Sequence, residues 1–501
     1  MAAKKLNILF VTSELIPFVQ VGELANFSTQ VTKVLADCCS DIRILIPKYG
    51  AISEATHKIH DIIRLKDLKC KIGNKTYSYS IKSSFILNKK SRIQVYFVDS
   101  PDLFSKRKGV YLEYGTWKDY PDNLERFSLF SRAAFELMEK LQWYPDIIHT
   151  NDWTSAIIPL YKKVFEKKNS HLKKIKTILT VHNFSFQGVF PLTEFEKLGL
   201  PDEFKEKEYL QIWDQLNFLK GGLETHDHIV GQSNYDLQKY IKEEKYSYGL
   251  KDVLKRIKDK FEIINYGLTT IEWDPSKDSL IEAKYSASNL QHKQKNKFAL
   301  SLRLNLEYAE NLPFITIIDG YDNDIQQFID NNFIEKMIKM NYRIIFMSTY
   351  YDNRDFFQKY HEKYSQKFHV LRDETQVMKH LVIAGSDFIL MPYYSSPTDS
   401  NVLKSLYYGT IPIAINRGLY ADVIKPFDGK NDQIANGYLF EERKQDLVLK
   451  NLDHALRLYA DKNKFKETQV RCMSEDYSWD KVGHDYFKLY SKLCGVHCNE
   501  K

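Results

Sequence analysis

The fold class follows from Leu6-Asn-Ile-Leu-Phe-Val11 and the two segments after it, Leu24 to Leu35 and Ile42-Arg-Ile-Leu-Ile46. The first and third segments are short apolar runs rich in β-branched residues, which predicts buried strands. The middle segment places its apolar residues at helical spacing. A strand, a helix and a second strand in this order predict a parallel pair joined by a crossover helix.

The same alternation continues through the first half of the chain. Further strands are predicted at Ile93 to Val98, Ile147 to His149, Thr177 to Val181 and His228 to Val230. The pattern restarts after a polar segment, Lys284 to Lys297. The strands predicted there are Phe314 to Ile318, Tyr342 to Met347, Phe368 to Leu371, Phe388 to Leu390 and Ile411 to Ile415. We therefore predict an α/β protein with two Rossmann-like domains that face each other across a ligand cleft.

The restart of the pattern also predicts the domain boundaries. We expect an N-terminal domain over residues 1–275, a hinge over 276–299 and a C-terminal domain over 300–475. Residues 476–501 are predicted to form a terminal helix that crosses back to the N-terminal domain.

Composition excludes several classes of protein. The 501 residues carry a net charge of +7 that is spread along the chain, so nucleic-acid binding is not expected. No apolar run reaches the length of a membrane-spanning helix. Six cysteines are too few for a disulfide scaffold, and we expect no metal site and no cofactor. Thr12-Ser-Glu14 follows the first apolar run without a cleavage pattern, which favours a strand over a signal peptide and predicts a cytoplasmic protein.

Several longer motifs follow one another along nearly the whole chain. Those of the first half are Ser13-Glu-Leu-Ile-Pro-Phe18, Tyr120-Pro-Asp-Asn-Leu-Glu-Arg-Phe127, Asp146-Ile-Ile-His-Thr-Asn-Asp-Trp153, Thr180-Val-His-Asn-Phe-Ser-Phe-Gln-Gly-Val-Phe-Pro191 and Phe218-Leu-Lys-Gly-Gly-Leu223. Those of the second half are Phe388 to Pro392, Tyr408-Gly-Thr-Ile-Pro-Ile413 and Tyr477-Ser-Trp479. In type and order these motifs resemble glycosyltransferase family 5, the bacterial glycogen synthases and plant starch synthases.

This resemblance implies the GT-B fold and a reaction. Members of the family transfer glucose from ADP-glucose or UDP-glucose to the non-reducing end of an α-1,4-glucan, with retention and without a metal ion. The resemblance further implies that a Lys-Thr-Gly-Gly loop cradles the leaving diphosphate, while an Arg and a Lys of the C-terminal domain neutralise it. A Glu of the C-terminal domain fixes the donor glucose, and a His of the N-terminal domain contacts the sugar.

Several of the residues that the resemblance assigns to the substrates are retained. The sugar-contacting His is His182, which is expected to be catalytic. The retained positions expected to bind substrate are Asp152, Asn183, Gln187, Gly188, Lys220 and Gly221.

The positions assigned to phosphate differ. Lys-Thr-Gly-Gly reads Gln20-Val-Gly22-Glu23 here, so a cation has become neutral and a glycine has become an anion. The Arg and Lys positions fall on the segment around Gly320, and no Lys or Arg occurs between residues 314 and 334. The catalytic Glu position falls on Ser396, and a later Thr-Gly-Gly-Leu reads Arg417-Gly418-Leu-Tyr. Gly320 and Ser396 are thus expected to be degenerate catalytic positions.

Two hypotheses follow. In the first, the chain is a glycogen or starch synthase-like homologue with little or no transferase activity and a binding or regulatory role. It would bind α-glucan or malto-oligosaccharide, and we do not expect it to bind a nucleotide sugar such as ADP-glucose. In the second, it is an active α-glucan synthase with a remodelled donor site, in which Arg354, Lys404 or Arg417 replaces a lost cation. The missing cationic groups favour the first hypothesis, because each charge-assisted contact to a diphosphate is worth about 1.5–3 kcal/mol.

Overall fold

A computed structural model of the chain describes residues 6–39, 41–88, 91–318, 325–347, 351–371, 375–393 and 399–496. The described residues form two compact units. The first contains those within Met1–Gln232, Leu237–Ile264 and Trp479–Lys501, and the second contains those within Ser233–Asp236 and Asn265–Ser478. Gly320 and Ser396, the two degenerate catalytic positions of the sequence analysis, lie outside the described residues.

The main sheet of the first unit has a parallel centre. Its first eight strands are β1 (Asn7–Val11), β2 (Asp41–Pro47), β3 (His60–Asp61), β4 (Leu68–Ile72), β5 (Lys75–Leu87), β6 (Arg92–Asp99), β7 (Ile147–Asn151) and β8 (Lys176–Val181). A small antiparallel sheet beside it contains β9 (Val189–Pro191), β10 (Gln211–Ile212) and β11 (Gln215–Asn217). The remaining strands of the main sheet are β12 (His228–Gly231) and β13 (Phe261–Ile263).

The order of the strands places β1 at the centre of the main sheet. Among the described residues the order is β13-β12-β8-β7-β1-β2-β6-β5-β3, with β4 paired to β5. The seven strands from β13 to β6 are parallel, and β1 pairs with both β2 and β7, so the order of strands reverses at β1. In open α/β sheets such a reversal forms a crevice at the carboxyl ends of the strands. The predicted parallel strands of this half are confirmed.

The antiparallel edge of the sheet was not predicted. β5 pairs antiparallel with β6, β4 and β3. Tyr77, Tyr79 and Ile81 of β5 are buried, whereas the neighbouring Thr76 and Ser78 are exposed. This alternation is typical of an antiparallel strand with one solvated face and lacks the continuous apolar run of the parallel strands.

Helices alternate with the strands of the first unit. They are α1 (Glu23–Cys38), α2 (Glu54–His57), α3 (Asn123–Leu141), α4 (Asp152–Ser155), α5 (Ile158–Phe165), α6 (Phe218–Thr225), α7 (Asn234–Lys242) and α8 (Lys251–Arg256). The first residues of α7 belong to the second unit.

The second unit repeats the arrangement with a smaller sheet. Its strands are β14 (Phe314–Ile318), β15 (Arg343–Met347), β16 (Phe368–Leu371), β17 (Phe388–Met391), β18 (Ile411–Ile415) and β19 (Tyr438–Phe440). All are parallel, in the order β16-β15-β14-β17-β18-β19. Numbered from its own first strand, this is the 3-2-1-4-5-6 order of a Rossmann sheet. The five strands predicted for this half are confirmed, and β19 is an addition.

The helices of the second unit begin within the segment that the sequence analysis treated as a hinge. They are α9 (Lys293–Arg303), α10 (Ile325–Phe328), α11 (Asn331–Ile338), α12 (Tyr351–Lys363), α13 (Gln376–Gly385), α14 (Asn401–Tyr407), α15 (Gly418–Val423), α16 (Gln445–Ala460) and α17 (Lys462–Cys472). Asp278, which also lies in that segment, is buried in this unit. Its carboxylate accepts a hydrogen bond from Tyr408 Oη at 2.6 Å and lies 2.8 Å from His380 Nδ1.

A buried ion pair fixes the amino ends of the two central strands of the second unit. Lys297 Nζ lies 2.7 Å from Asp387 Oδ2, and both side chains are buried. The same carboxylate oxygen accepts a hydrogen bond from Phe314 N at 2.9 Å. Asp387 directly precedes β17 and Phe314 begins β14, so this pair holds the register of neighbouring strands.

The last helix, α18 (Trp479–Cys494), packs on α1 within the first unit. A Cβ atom at Gly483 would lie 2.5 Å from Val34 Cβ, so the two helices touch at this glycine. Tyr490 Oη lies 2.5 Å from His149 Nδ1, and Tyr486 Oη lies 3.1 Å from Thr180 Oγ1. Buried polar contacts therefore attach α18 to β7 and β8, in addition to the packing of α18 on α1.

None of the described helices combines the length and the hydropathy that crossing a bilayer requires. Nowhere in the part of the chain that the structure describes do three or more His, Cys, Asp or Glu side chains gather in a way that could hold a metal ion.

Candidate functional site

The candidate site lies at the carboxyl ends of β1, β7 and β8 in the first unit. The sequence continues there as Thr12 to Glu14 after β1, as Asp152 after β7 and as His182 after β8. Because these parallel strands are neighbours, their ends meet at one edge of the sheet, at the reversal of strand order around β1.

The loop between β1 and α1 is folded around a buried carboxylate. Glu14 Oε2 accepts hydrogen bonds from Val21 N at 2.6 Å and from Gly22 N at 2.8 Å. Its other oxygen accepts a hydrogen bond from Tyr111 Oη at 2.7 Å, and Tyr111 Oη lies 2.8 Å from Ser13 Oγ. Two of the backbone N–H groups before α1 are therefore occupied by an anion of the protein itself.

The positions of this loop that the family resemblance assigns to the diphosphate lie on its surface. Gln20, Gly22 and Glu23 are all exposed. Gly22 precedes α1 with an extended backbone, φ −136°, and a Cβ atom there would meet nothing within 4 Å. Neither its conformation nor its packing requires glycine. Glu23 lies in the first turn of α1, where its charge interacts favourably with the helix dipole.

Asp152 holds the segment that directly follows β8. Its backbone is left-handed, φ +52°, and its Oδ1 accepts a hydrogen bond from His182 N at 2.8 Å. Burial raises the pKa of Asp152 to about 7, and the hydrogen bond from the His182 N–H opposes this rise. The carboxyl group thus serves as an acceptor within the protein.

The contact with Asn151 indicates which nitrogen of the His182 ring carries the proton. Asn151 Nδ2 donates to Val11 O at 3.0 Å, which leaves Asn151 Oδ1 to accept from His182 Nε2 at 3.3 Å. Burial lowers the pKa of His182 to about 3, so the ring is neutral. A neutral ring with its proton on Nε2 has a lone pair on Nδ1. That atom is buried and has no hydrogen-bond partner among the described residues.

The ring of His182 is also held by packing. Its centroid lies 4.4 Å from that of Phe27 on α1, with the two rings nearly perpendicular. Phe27 in turn packs edge-on against Trp479 and Tyr486 of α18. The orientation of the imidazole is therefore fixed by two helices as well as by Asn151.

The residues after His182 form a tight loop with internal partners. Asn183 Oδ1 accepts hydrogen bonds from Ser185 N (2.9 Å) and Ser185 Oγ (2.7 Å). Gln187 Nε2 donates to the carbonyl oxygens of Phe184 (3.0 Å) and Tyr248 (3.1 Å), and Gln187 Oε1 accepts from Asn217 Nδ2. The amide of Gln187 is thus used to fasten this loop to two other segments.

Gly188 is required where it stands. Its backbone is left-handed, φ +62°, and a Cβ atom would overlap Trp153 Cε3 and lie 2.9 Å from Trp153 Cδ2. Trp153 cannot withdraw, because its ring is packed edge-on against Phe127 at a centroid distance of 4.7 Å.

Lys220 and Gly221 lie inside the first unit, on α6. Lys220 is buried, and its Nζ donates to the carbonyl oxygens of Lys207 (2.5 Å) and Tyr209 (2.9 Å). Burial lowers the pKa of Lys220. A Cβ atom at Gly221 would lie 2.6 Å from Leu210 Cδ2. Both residues hold the segment before β10 against the helix.

In the second unit, Arg417 and Gly418 follow β18. Gly418 N donates to Asp236 Oδ1 at 3.1 Å, and Asp422 on the same helix accepts from Asn234 N (2.8 Å) and Tyr235 N (3.0 Å). The amino ends of α7 and α15 are therefore each capped by an aspartate of the other helix. Burial raises the pKa of Asp422, and these hydrogen bonds oppose the rise.

Known proteins resemble this chain over its whole length. Residues 7–256 match the family model of the starch synthase catalytic domain. The glycogen synthase of Chlorobium limicola is 31% identical over 494 residues, which cover 98% of this chain and 99% of that protein. The glycogen synthase of Bacillus anthracis is also 31% identical over 494 residues, with coverages of 97% and 100%. The chain belongs to the starch synthase family.

A solved structure shows the fold of this family member. The catalytic domain of starch synthase IV from Arabidopsis thaliana, solved with ADP and acarbose, superposes with a TM-score of 0.79 at 24% identity. The match covers 98% of this chain and 100% of the plant domain. The chain thus has the GT-B fold and is a glycogen or starch synthase-like glucosyltransferase homologue, as the sequence motifs predicted.

Three residues near these strand ends, Ser13, Glu14 and Tyr111, were not predicted to belong to the candidate site. Ser13 and Glu14 lie within a quoted motif, yet nothing in the motif indicated that the Glu14 carboxylate binds the amides of the following loop. No sequence pattern pointed to Tyr111, because it contacts Glu14 from a segment 97 residues further along the chain.

Proposed function

We propose that this member of the starch synthase family binds α-glucan through its first unit but has lost productive binding of the donor diphosphate. It then acts as a glucan-binding or regulatory homologue with little or no glucosyl transfer. His182 is the sugar-contacting residue in this proposal. Gln20, Gly22, Gly320, Ser396, Arg417 and Gly418 mark the altered donor site.

The loop after β1 carries the donor half of the proposal. The family resemblance assigns this loop to the leaving diphosphate. Its Val21 and Gly22 N–H groups already bind the Glu14 carboxylate, the exposed Gln20 offers no positive charge, and Glu23 adds a negative one. A diphosphate approaching this helix end would meet the carboxylates of Glu14 and Glu23, and like charges repel more strongly as the local dielectric falls.

The second unit supports the same conclusion. No Lys or Arg occurs between residues 314 and 334, where the resemblance places two cations, and Ser396 stands in the position of the Glu. The Gly418 N–H donates to the Asp236 carboxylate, so this amide too has an anionic partner within the protein. A phosphate oxygen would have to displace Asp236 to reach it.

The glucan half of the proposal rests on His182. Its imidazole is neutral, with a lone pair on Nδ1 that lacks a partner among the described residues. A buried polar atom of this kind is normally satisfied by water or by a ligand. A sugar hydroxyl can donate to it without any charged group, so this contact does not depend on the altered diphosphate site.

A second candidate is an active α-glucan synthase with a remodelled donor site. The full-length similarity to two glycogen synthases favours it. So does the presence of basic residues in the second unit. Lys404 Nζ lies 4.7 Å above the ring of Trp273 and 3.4 Å from Asn401 Oδ1, while Arg417 directly precedes α15. Arg354 is the third such residue.

Calorimetric titration of the full chain separates the two candidates. We expect heat on adding maltoheptaose and none on adding ADP, because sugar contacts need hydrogen-bonding groups and the ADP diphosphate needs positive charge. The glycogen synthase of Chlorobium limicola, titrated in the same buffer, is the control. Micromolar ADP binding by this chain would contradict the proposal and favour the remodelled donor site.

A further inference from the structure

Three aromatic rings project from neighbouring loops of the first unit. Phe186 lies in the loop after His182, Trp213 in the tight turn between β10 and β11, and Tyr248 in the loop before α8. The three side chains are 64%, 69% and 51% exposed. We call Phe186, Trp213 and Tyr248 the aromatic patch.

A buried amide brings two of these loops together. Gln187, next to Phe186, donates from Nε2 to the carbonyl oxygen of Tyr248 at 3.1 Å. The oxygen of the same amide, Gln187 Oε1, accepts a hydrogen bond from Asn217 Nδ2. Asn217 ends the β10–β11 hairpin, which carries Trp213. The loops that bear all three rings are therefore joined through one side chain.

Direct packing joins Trp213 to Tyr248. A Cβ atom on Gly249 would lie 2.7 Å from Trp213 Cη2 and 3.0 Å from Cζ2, so the indole edge rests on the backbone next to Tyr248. The Tyr248 ring is also edge-on to Tyr240, at a centroid distance of 6.2 Å. The positions of these rings are set before any ligand arrives, which lowers the entropy lost on binding.

The backbone at two of the rings is unfavourable for large residues. Trp213 has φ +50° and Tyr248 has φ +51°, in the left-handed region that glycine and asparagine adopt most easily. A turn of this shape is more stable with a small residue than with a bulky one. Unfavourable backbone conformations are concentrated at functional sites, which makes two exposed rings held in this way a candidate for binding.

The chemistry of the patch fits a neutral, hydroxyl-rich ligand. Its rings carry no charge, and exposed polar side chains, Ser185 and Asp214, adjoin Phe186 and Trp213 in sequence. A glucose ring offers an apolar C–H face to an aromatic ring and hydroxyl groups to polar neighbours. Tyr and Trp provide large, rigid contact surfaces with few rotatable bonds.

We infer that the aromatic patch is a second binding surface for α-glucan chains, made of residues other than the strand-end group around His182. The inference rests on the proposed function, which names α-glucan as the ligand. A polysaccharide held at both places would be bound more tightly than a short oligosaccharide, because the second contact is then intramolecular.

The test compares glycogen binding by full-length variants in native electrophoresis through gels containing glycogen. Trp213→Asn and Tyr248→Asn remove the rings while keeping a residue that tolerates the left-handed backbone. Trp117→Asn is the matched control, since Trp117 is 73% exposed at φ +57° in a different loop. We expect the double variant to bind glycogen about tenfold more weakly or worse, and the control to bind like the unmodified chain. Thermal unfolding checks that each variant is folded.

Four other outcomes would contradict the inference, and each has a different meaning. If the unmodified chain binds glycogen and the double variant binds equally well, the patch is not a glucan site and the proposed function stands. If Trp117→Asn weakens binding as much as the double variant does, the patch has no special role. If size-exclusion chromatography shows that the double variant changes oligomeric state at unchanged glycogen affinity, the patch is a contact between copies of the chain. If the unmodified chain binds no glucan at all, the proposed function itself fails.

Discussion

Glucosyl transfer from ADP-glucose or UDP-glucose to glycogen is expected to be about 10⁴- to 10⁷-fold slower with this chain than with an active glycogen synthase. The family resemblance places three cations and a Glu at the donor, and this chain has none of them at those positions. At about 1.5–3 kcal/mol for each charge-assisted contact, their loss removes about 6–10 kcal/mol of transition-state stabilisation. The measurement is the initial rate of radiolabelled glucose incorporation into glycogen.

The comparison needs an active relative under the same conditions, and the Chlorobium limicola glycogen synthase, 31% identical over nearly the full length, is suitable. A rate within about tenfold of that enzyme corresponds to a difference of only about 1.4 kcal/mol and would contradict the proposed loss of donor binding. Substitution of Arg354, Lys404 and Arg417 would then show which residue supplies the missing charge.

The substitution Gly188→Ala is expected to destabilise the first unit by about 3 kcal/mol. Two effects add: the new Cβ overlaps the ring of Trp153, and a left-handed backbone disfavours any residue with a Cβ. Because Phe127 packs edge-on against Trp153 at a centroid distance of 4.7 Å, the indole ring has little room to move aside. Urea unfolding of the full chain, followed by circular dichroism, measures the change in the free energy of unfolding.

Gly22→Ala is the matched control for that substitution. Gly22 has an extended backbone, and a Cβ atom there meets nothing within 4 Å. We expect a change below about 1 kcal/mol, because a small capping penalty is offset by the reduced freedom of the unfolded chain. Equal destabilisation by the two substitutions would show that the packing against Trp153 is not the cause.

The fold was predictable because its parallel strands are buried on both faces. Such strands appear as continuous apolar runs, of which Leu6 to Val11 and Phe314 to Ile318 are examples. β5 was not predicted because one of its faces is exposed, so that Tyr77 and Tyr79 alternate with polar residues. The position of α18 depends on contacts between residues hundreds of positions apart, such as Tyr490 with His149 of β7, and a local sequence pattern does not reveal such contacts.

The sequence predicted which residues lie near the strand ends better than it predicted the contacts that they make. Motifs identified His182 and Gly188, but residue type alone could not separate a side chain that faces a ligand from one that fastens a loop. Gln187 and Lys220 were both expected to bind substrate, and the structure gives the polar atoms of both side chains partners within the protein. The role of Glu14 depends on where the following loop folds, which only the three-dimensional structure reveals.

The most direct test of the proposed loss of donor binding is the ADP affinity of a full-length variant that carries the residues the family resemblance assigns to the donor site. Gln20→Lys, Glu23→Gly, Gly320→Arg and Ser396→Glu are combined, and ADP binding is measured by calorimetry beside the unmodified chain. We predict measurable binding by the variant and none by the unmodified chain, with maltoheptaose affinity the same in both. Equal and tight ADP binding by the two proteins would contradict the account, because the donor site would then not depend on the residues that this chain has lost.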